Sequence, residues 1–159
     1  DFSGPIAVRY PRGEAFDELK EYRAPLEYGK AEVLYEESEI LLLAVGSMVK
    51  TALTVREQLK EKGYSCSLVN ARFVKPFDEE LLLKKNHKLL VTLEENVQSG
   101  GFGEHVLEFM NTNGDGSMEV LNIAIPDVYV EHGNVELLRK ETGIDADGII
   151  GKIIDRKAQ

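Results

Sequence analysis

Residues 91–106, VTLEENVQSGGFGEHV, run from an apolar stretch through two acidic residues into a glycine cluster and then a helical pattern. Many α/β proteins hold a phosphate at such a strand–turn–helix corner, because the first N–H groups of the helix point at the anion. A dinucleotide fingerprint needs G-x-G-x-x-G, preferably in the first βα unit, with an acidic residue about 20 positions on. Here Gly101 and Gly103 fill the first two places and Val106 the third, and the corner falls in the third βα unit. No G-K-[ST] continuation follows, which excludes a nucleoside triphosphate loop. A glycine turn that lets a helix start close against its strand is the better reading.

The other candidate groups are sparse. Glu94 and Glu95 end a strand at its carboxyl edge, where open α/β sheets place ligands. Neighbouring strand residues point to opposite faces, so the two cannot serve one substrate as acid and base unless the strand ends between them. One is expected to cap or pair locally and the other to face a neighbouring domain. His87, His105 and His132 lack H-x-x-x-H or H-E-x-x-H spacing, so no metal site is expected, and no Ser sits in G-x-S-x-G. The chain holds no self-contained catalytic constellation.

Repeated strand–helix units must position these groups. ILLLAV (40–45) is a continuous apolar run, as expected of a central parallel strand buried on both faces. Gly46 and Ser47 punctuate it. The helix that follows places Val49, Ala52, Leu53, Val55 or Arg56, and Leu59 on one side, and Gly63 stops it. CSLVNA (66–71), a helix opened by Pro76 and Asp78, LLVTLEE (89–95), a helix from the glycine corner to Asn113-Gly114, and MEVLNIAI (118–125) follow. Two helices close the chain, and Asp145 is placed to cap the last. This alternation implies a mostly parallel sheet wrapped on both sides. Before it, Ile6–Tyr10 reads as a strand, residues 14–39 as a linker or excursion, and Glu32–Tyr35 as part of a short hairpin ending in the acidic turn 36–39. The domain proper is expected to begin at Ile40. A chain that opens with Asp in the middle of a turn-and-strand motif is expected to be a piece of a longer protein.

Composition narrows the classes. The 159 residues are the length of one ordinary domain, and a net charge of −9 spread along the chain argues against nucleic acid or anionic lipid as partner. Cys66 is the sole cysteine, so an internal disulfide and a cysteine-cluster zinc site are impossible, which fits a cytoplasmic location; its strand setting suggests packing. No run approaches the ~18 apolar residues of a membrane helix, and no membrane association is expected.

At NARFVKPFDEELL, residues 70–82, the sequence becomes specific. With GPIAVRYPRG (4–13), LLAVGSM (42–48), VTLEEN and GGFG (91–103), IPDVYVEHG (125–133) and GIDADGI (143–149), it resembles the C-terminal domain of the 1-deoxy-D-xylulose-5-phosphate synthase family, thiamine-diphosphate enzymes of the transketolase superfamily. The resemblance covers about Gly4 to Ile154. It implies an α/β domain of three layers, with a five-stranded, mostly parallel sheet and helices on both faces. Residues 1–39 would then be the end of a pyrimidine-binding domain plus a linker, and 40–159 the C-terminal domain. The family condenses pyruvate, after loss of CO2, with glyceraldehyde 3-phosphate, making a precursor of isoprenoids, thiamine and pyridoxal. Its catalytic Glu, Mg2+ ligands and diphosphate loop would lie upstream, so this chain would carry no catalytic residue, bind no thiamine diphosphate or Mg2+ itself, and be inactive alone. The whole enzyme would be a homodimer. By the same resemblance Arg12 would contact the phosphate of the aldehyde, while Arg72, Lys75, Glu94, Asn96, Gly101, Gly103, Asp127 and His132 would be structural or interface residues. The alternatives are the C-terminal domain of a transketolase or of a 2-oxo acid dehydrogenase β subunit, or a free-standing α/β ligand-binding module using the strand ends around Gly46 and Gly101.

Overall fold

The computed structural model describes residues 2–11, 16–22, 24–84 and 87–158. Among them five strands form one sheet: β1 (Glu32–Tyr35), β2 (Ile40–Ala44), β3 (Cys66–Asn70), β4 (Leu89–Val97) and β5 (Glu119–Ile125), in the order β1-β3-β2-β4-β5. The pairs β2–β3, β2–β4 and β4–β5 are parallel, and β1 runs antiparallel to β3. The expected five-stranded, mostly parallel sheet is therefore the one observed.

The apolar run of β2 explains its central place. All five of its residues are buried, with Ile40, Leu42 and Ala44 in one hydrophobic cluster and Leu41 and Leu43 in the other. Helices α1 (Met48–Glu61) and α5 (Ala146–Lys157) close the first cluster with Met48, Ala52, Val55, Leu59, Ile149, Ile150 and Ile153. Helices α2 (Glu79–Lys84) and α3 (Phe102–Asn113) close the second with Leu82, Phe102, Val106 and Met110. Helix α4 (Val135–Glu141) buries none of its side chains fully.

Local signals act as read. Asp78 accepts a hydrogen bond from Leu81 N at 3.0 Å at the start of α2, and Asp145 accepts one from Gly148 N at 3.2 Å in α5. Gly63, at φ +88°, turns the chain out of α1.

Three expectations are corrected. The hairpin does not form, because β1 pairs with β3 and not with β2. Glu37 explains the choice: its carboxylate accepts from Cys66 N at 3.0 Å while its N–H donates to Ser67 Oγ at 2.8 Å, so the acidic turn is tied to β3. β1 thus joins the main sheet although it precedes Ile40. Residues 6–10 form no strand, since an extended segment becomes one only when another strand pairs its N–H and C=O groups, and no described strand does so. At α1 the choice between Val55 and Arg56 dissolves, because both are buried.

Candidate functional site

The glycine corner is built around Glu94. β4 carries this side chain to the start of α3, where its carboxylate accepts hydrogen bonds from Phe102 N at 2.9 Å and Gly103 N at 2.8 Å, and it is only 4% exposed. The N-cap residue of α3, Gly101, has no side chain to satisfy these donors, so the strand supplies the cap from inside the fold. The glycines serve closeness and not conformation. Gly101 has an ordinary φ of −77°, but a Cβ there would lie 2.6 Å from Glu94 Oε1 and from Val97 O. A Cβ on Gly103 would lie 2.5 Å from Thr92 Oγ1 and 2.8 Å from Asn122 Cγ. A phosphate approaching these N–H groups would meet a carboxylate already bound to them. The corner therefore does not fit the diphosphate of thiamine diphosphate, and among the described residues no three His, Cys, Asp or Glu side chains gather as a metal would require.

Glu95, one residue on, fastens four segments. Its carboxylate accepts from Arg139 Nε at 2.8 Å and Nη2 at 2.9 Å, a two-pronged contact to α4, and from Ser47 Oγ at 2.6 Å where α1 begins. Its main-chain carbonyl accepts from Arg9 Nη2 at 3.2 Å, holding the N-terminal segment. The Arg139 guanidinium keeps the Glu95 carboxyl below the usual carboxylate range against the opposing pull of burial, with help from Ser47. Both acidic residues at this strand end are thus engaged inside the domain, where only one was expected to be.

The other residues singled out by sequence are dispersed. Arg72, in a left-handed conformation with φ 56°, pairs with Glu32 at 2.5 Å and donates to Ala24 O at 3.3 Å and Pro25 O at 3.5 Å. It staples β1 and the preceding segment to the end of β3. Lys75, Asp127 and His132 are exposed, and Asn96 is half-buried near the end of β4. Arg12 lies outside the described residues. The structure therefore joins Glu94 with Gly101 and Gly103.

Sequence reasoning missed Arg139 altogether, and placed Ser47 and Arg56 without their partners Glu95 and Glu37. Arg139 sits 44 residues from Glu95, a separation no local pattern reports. Arg56 is buried on α1, donates from Nε to Cys66 O at 3.0 Å, pairs with Glu37 and Glu57, and stacks 4.0 Å from the Tyr35 ring centroid. Burial pushes the Glu37 carboxyl up, but the Cys66 N–H and the Arg56 guanidinium override it and leave it low. Cys66 is the packing residue its strand suggested, its thiol pushed up to about 12 chiefly by burial, far from reactive thiolate character.

Two consequences are measurable. Glu94→Gln replaces one acceptor oxygen by an amide facing an N–H, so it should lower unfolding free energy by about 1–3 kcal/mol in denaturant titrations, and an unchanged midpoint would remove Glu94 from the corner. The Glu95 carboxyl has its folded pKa depressed, so its stabilisation is full above the unfolded value of about 4.3 and is lost as pH falls through the folded one. Glu95→Gln should therefore flatten part of the acid limb of a stability-versus-pH curve below about pH 5, and a limb identical to the parent's would contradict the pairing.

Comparison with known proteins places this geometry. The sequence profile of the family described as "Transketolase, C-terminal domain" matches residues 29–149. The 1-deoxy-D-xylulose-5-phosphate synthase of Lachnoclostridium phytofermentans is 49% identical over 155 residues, covering 96% of this chain and 25% of its own length. That of Desulforudis audaxviator is 44% identical over 153 residues, covering 94% of this chain and 24% of its own. The chain thus spans about a quarter of the length of these curated relatives. Among solved structures, a split-gene transketolase described as an inactive beta4 tetramer superposes with a TM-score of 0.76 at 26% identity, covering 83% of this chain and 43% of that one. With its profile, its relatives and its sheet in agreement, the chain belongs to the transketolase C-terminal domain family.

Proposed function

We propose that this chain is the C-terminal assembly domain of a 1-deoxy-D-xylulose-5-phosphate synthase, a cytoplasmic homodimer when whole. The observation that carries the reading is the 49% identity that runs along 96% of the chain. In this reading the complete enzyme condenses pyruvate with glyceraldehyde 3-phosphate on thiamine diphosphate and Mg2+, releasing CO2, and the cofactor chemistry belongs to preceding domains. Residues 1–39, β1 aside, are the tail of the pyrimidine-binding domain and a linker, and 40–159 form the C-terminal domain.

The chain's own part is physical. Glu94 closes the glycine corner at the start of α3, and Glu95 joins the N-terminal segment to β4, α1 and α4. Exposed Lys75, Asp127 and His132 would meet neighbouring domains at the strand ends, and Arg72 and Asn96 would shape that surface. Arg12, three residues beyond Arg9, would bind the phosphate of the aldehyde, a task suited to a guanidinium with a fixed fork of donors and a permanent charge. The solved relative described as an inactive beta4 tetramer supports inactivity of such a piece by itself.

The test has two arms. The isolated chain, given both substrates, thiamine diphosphate and Mg2+, is expected to release no CO2 above the blank, and sustained release would refute the assembly role. In the full-length enzyme, Arg12→Ala should raise the KM for glyceraldehyde 3-phosphate by about 10–100-fold, as loss of charge-assisted hydrogen bonds implies, and leave that for pyruvate nearly unchanged. Equal effects on both substrates would count against the phosphate contact.

A further inference from the structure

Helix α3 is fastened by Glu94 at its start and by its own last residues at its end. Asn113 Nδ2 donates to Phe109 O at 3.1 Å, one turn back, and Gly114 N closes the last turn on Met110 O at 2.9 Å. Position 114 takes only glycine without a shift, since a Cβ there would lie 2.5 Å from Met110 O. The fold thus has its own reasons for an asparagine followed by a glycine here, and the Asn113 side chain is exposed.

Such a pair carries the atoms of a self-hydrolysis. The Gly114 nitrogen, once its proton has passed to solvent base, bonds to Asn113 Cγ; the Cγ–Nδ2 bond breaks, and Nδ2 takes a proton from water and leaves as ammonia. Water then opens the resulting five-membered succinimide at one of its two carbonyls, giving aspartate or isoaspartate, so the sum is hydrolysis of one amide by one water. Both reacting nitrogens are engaged in this structure, the nucleophile with Met110 O and the leaving group with Phe109 O. The reaction therefore waits for the last turn to open, and helix ends are where local opening costs least. The nearby Asp115–Gly116 pair behaves differently. Ser117 Oγ and Ser117 N donate to Asp115 Oδ1 at 2.5 and 2.9 Å and hold its carboxyl below the usual aspartate range, and an ionised carboxylate is a poor target for an amide nitrogen.

We propose that Asn113 is a site of spontaneous deamidation, gated by the last turn of α3. The inference is independent of the synthase reading. The product acts on its own gate. A carboxylate at position 113 puts an acceptor where Nδ2 donated to Phe109 O, and it adds negative charge at the negative end of a helix whose last turn, residues 110–113, has no basic side chain. Met110, which shares that turn, belongs to the second hydrophobic cluster. Deamidation thus loosens α3 at the end away from Glu94 and makes the turn easier to open.

The experiment incubates the protein at neutral pH, folded and unfolded in urea, and maps digests by mass spectrometry, with isoaspartyl methyltransferase marking isoaspartate. In the folded protein the product is expected first at position 113, about tenfold more slowly than in the unfolded chain, as the engagement of two hydrogen-bonding groups implies. Hydrogen exchange of the Gly114 amide reads the same opening, so deamidation should be slowed at least as much as that amide is protected. Equal rates in the folded and unfolded chain, slowing smaller than the Gly114 protection, or earlier conversion at another asparagine or at Asp115 would each overturn the proposal. Asn113→Asp, which installs the product's charge directly, should lower the urea midpoint of unfolding, and a midpoint at or above the parent's would overturn the action of the product on its gate.

Discussion

A buried carboxylate at the start of a helix is the constraint around which this domain is arranged. Glu94 satisfies Phe102 N and Gly103 N, and to do so α3 must begin almost against β4, which leaves room for no side chain at positions 101 and 103. That proximity sets Phe102 and Val106 into the second hydrophobic cluster beside Leu41, Leu43 and Leu90. The interaction also has a chemical meaning. A helix start is a natural seat for phosphate, and here the protein has filled the seat with its own negative charge. The fold keeps the strand–turn–helix form of a nucleotide corner while removing its capacity for an anion.

Glu95 performs the complementary task on the outside of the same strand end. Where Glu94 ties β4 to the helix that follows it, Glu95 ties β4 to elements far away in sequence: Ser47 at the head of α1, Arg139 on α4 and Arg9 in the N-terminal segment. The carboxyl edge of the central strands, where related architectures place ligands, is spanned here by polypeptide and ion pairs. This suits the assembly role proposed for the domain.

Much of this was legible in the sequence for physical reasons. The run ILLLA must be buried on both faces, so β2 is central, and the spacing of Val49, Ala52 and Leu59 fixes the inward face of α1. Asp78 and Asp145 announce helix starts because their side chains can accept from backbone N–H groups three residues on. What was hidden depends on partners remote in sequence. The pairing of β1 with β3 in place of β2 follows from Glu37 reaching Cys66 and Ser67, about thirty residues away, and no local pattern encodes it. The inward face of α1 includes Arg56, whose burial is paid for by Glu37, the carbonyl of Cys66 and the ring of Tyr35. Likewise the two adjacent glutamates could be assigned to opposite directions, but the identity of Arg139 as partner needed the fold. Arg12, whose role rests on resemblance, lies outside the described residues.

The central claim, that Glu94 occupies the anion seat of α3, is tested most directly by amide NMR. Inorganic pyrophosphate added to the 15N-labelled protein should leave the Phe102 and Gly103 amide resonances without a saturable shift. Saturable shifts at these two amides, with a dissociation constant tighter than about 1 mM, would show that a ligand displaces Glu94 and would contradict the account.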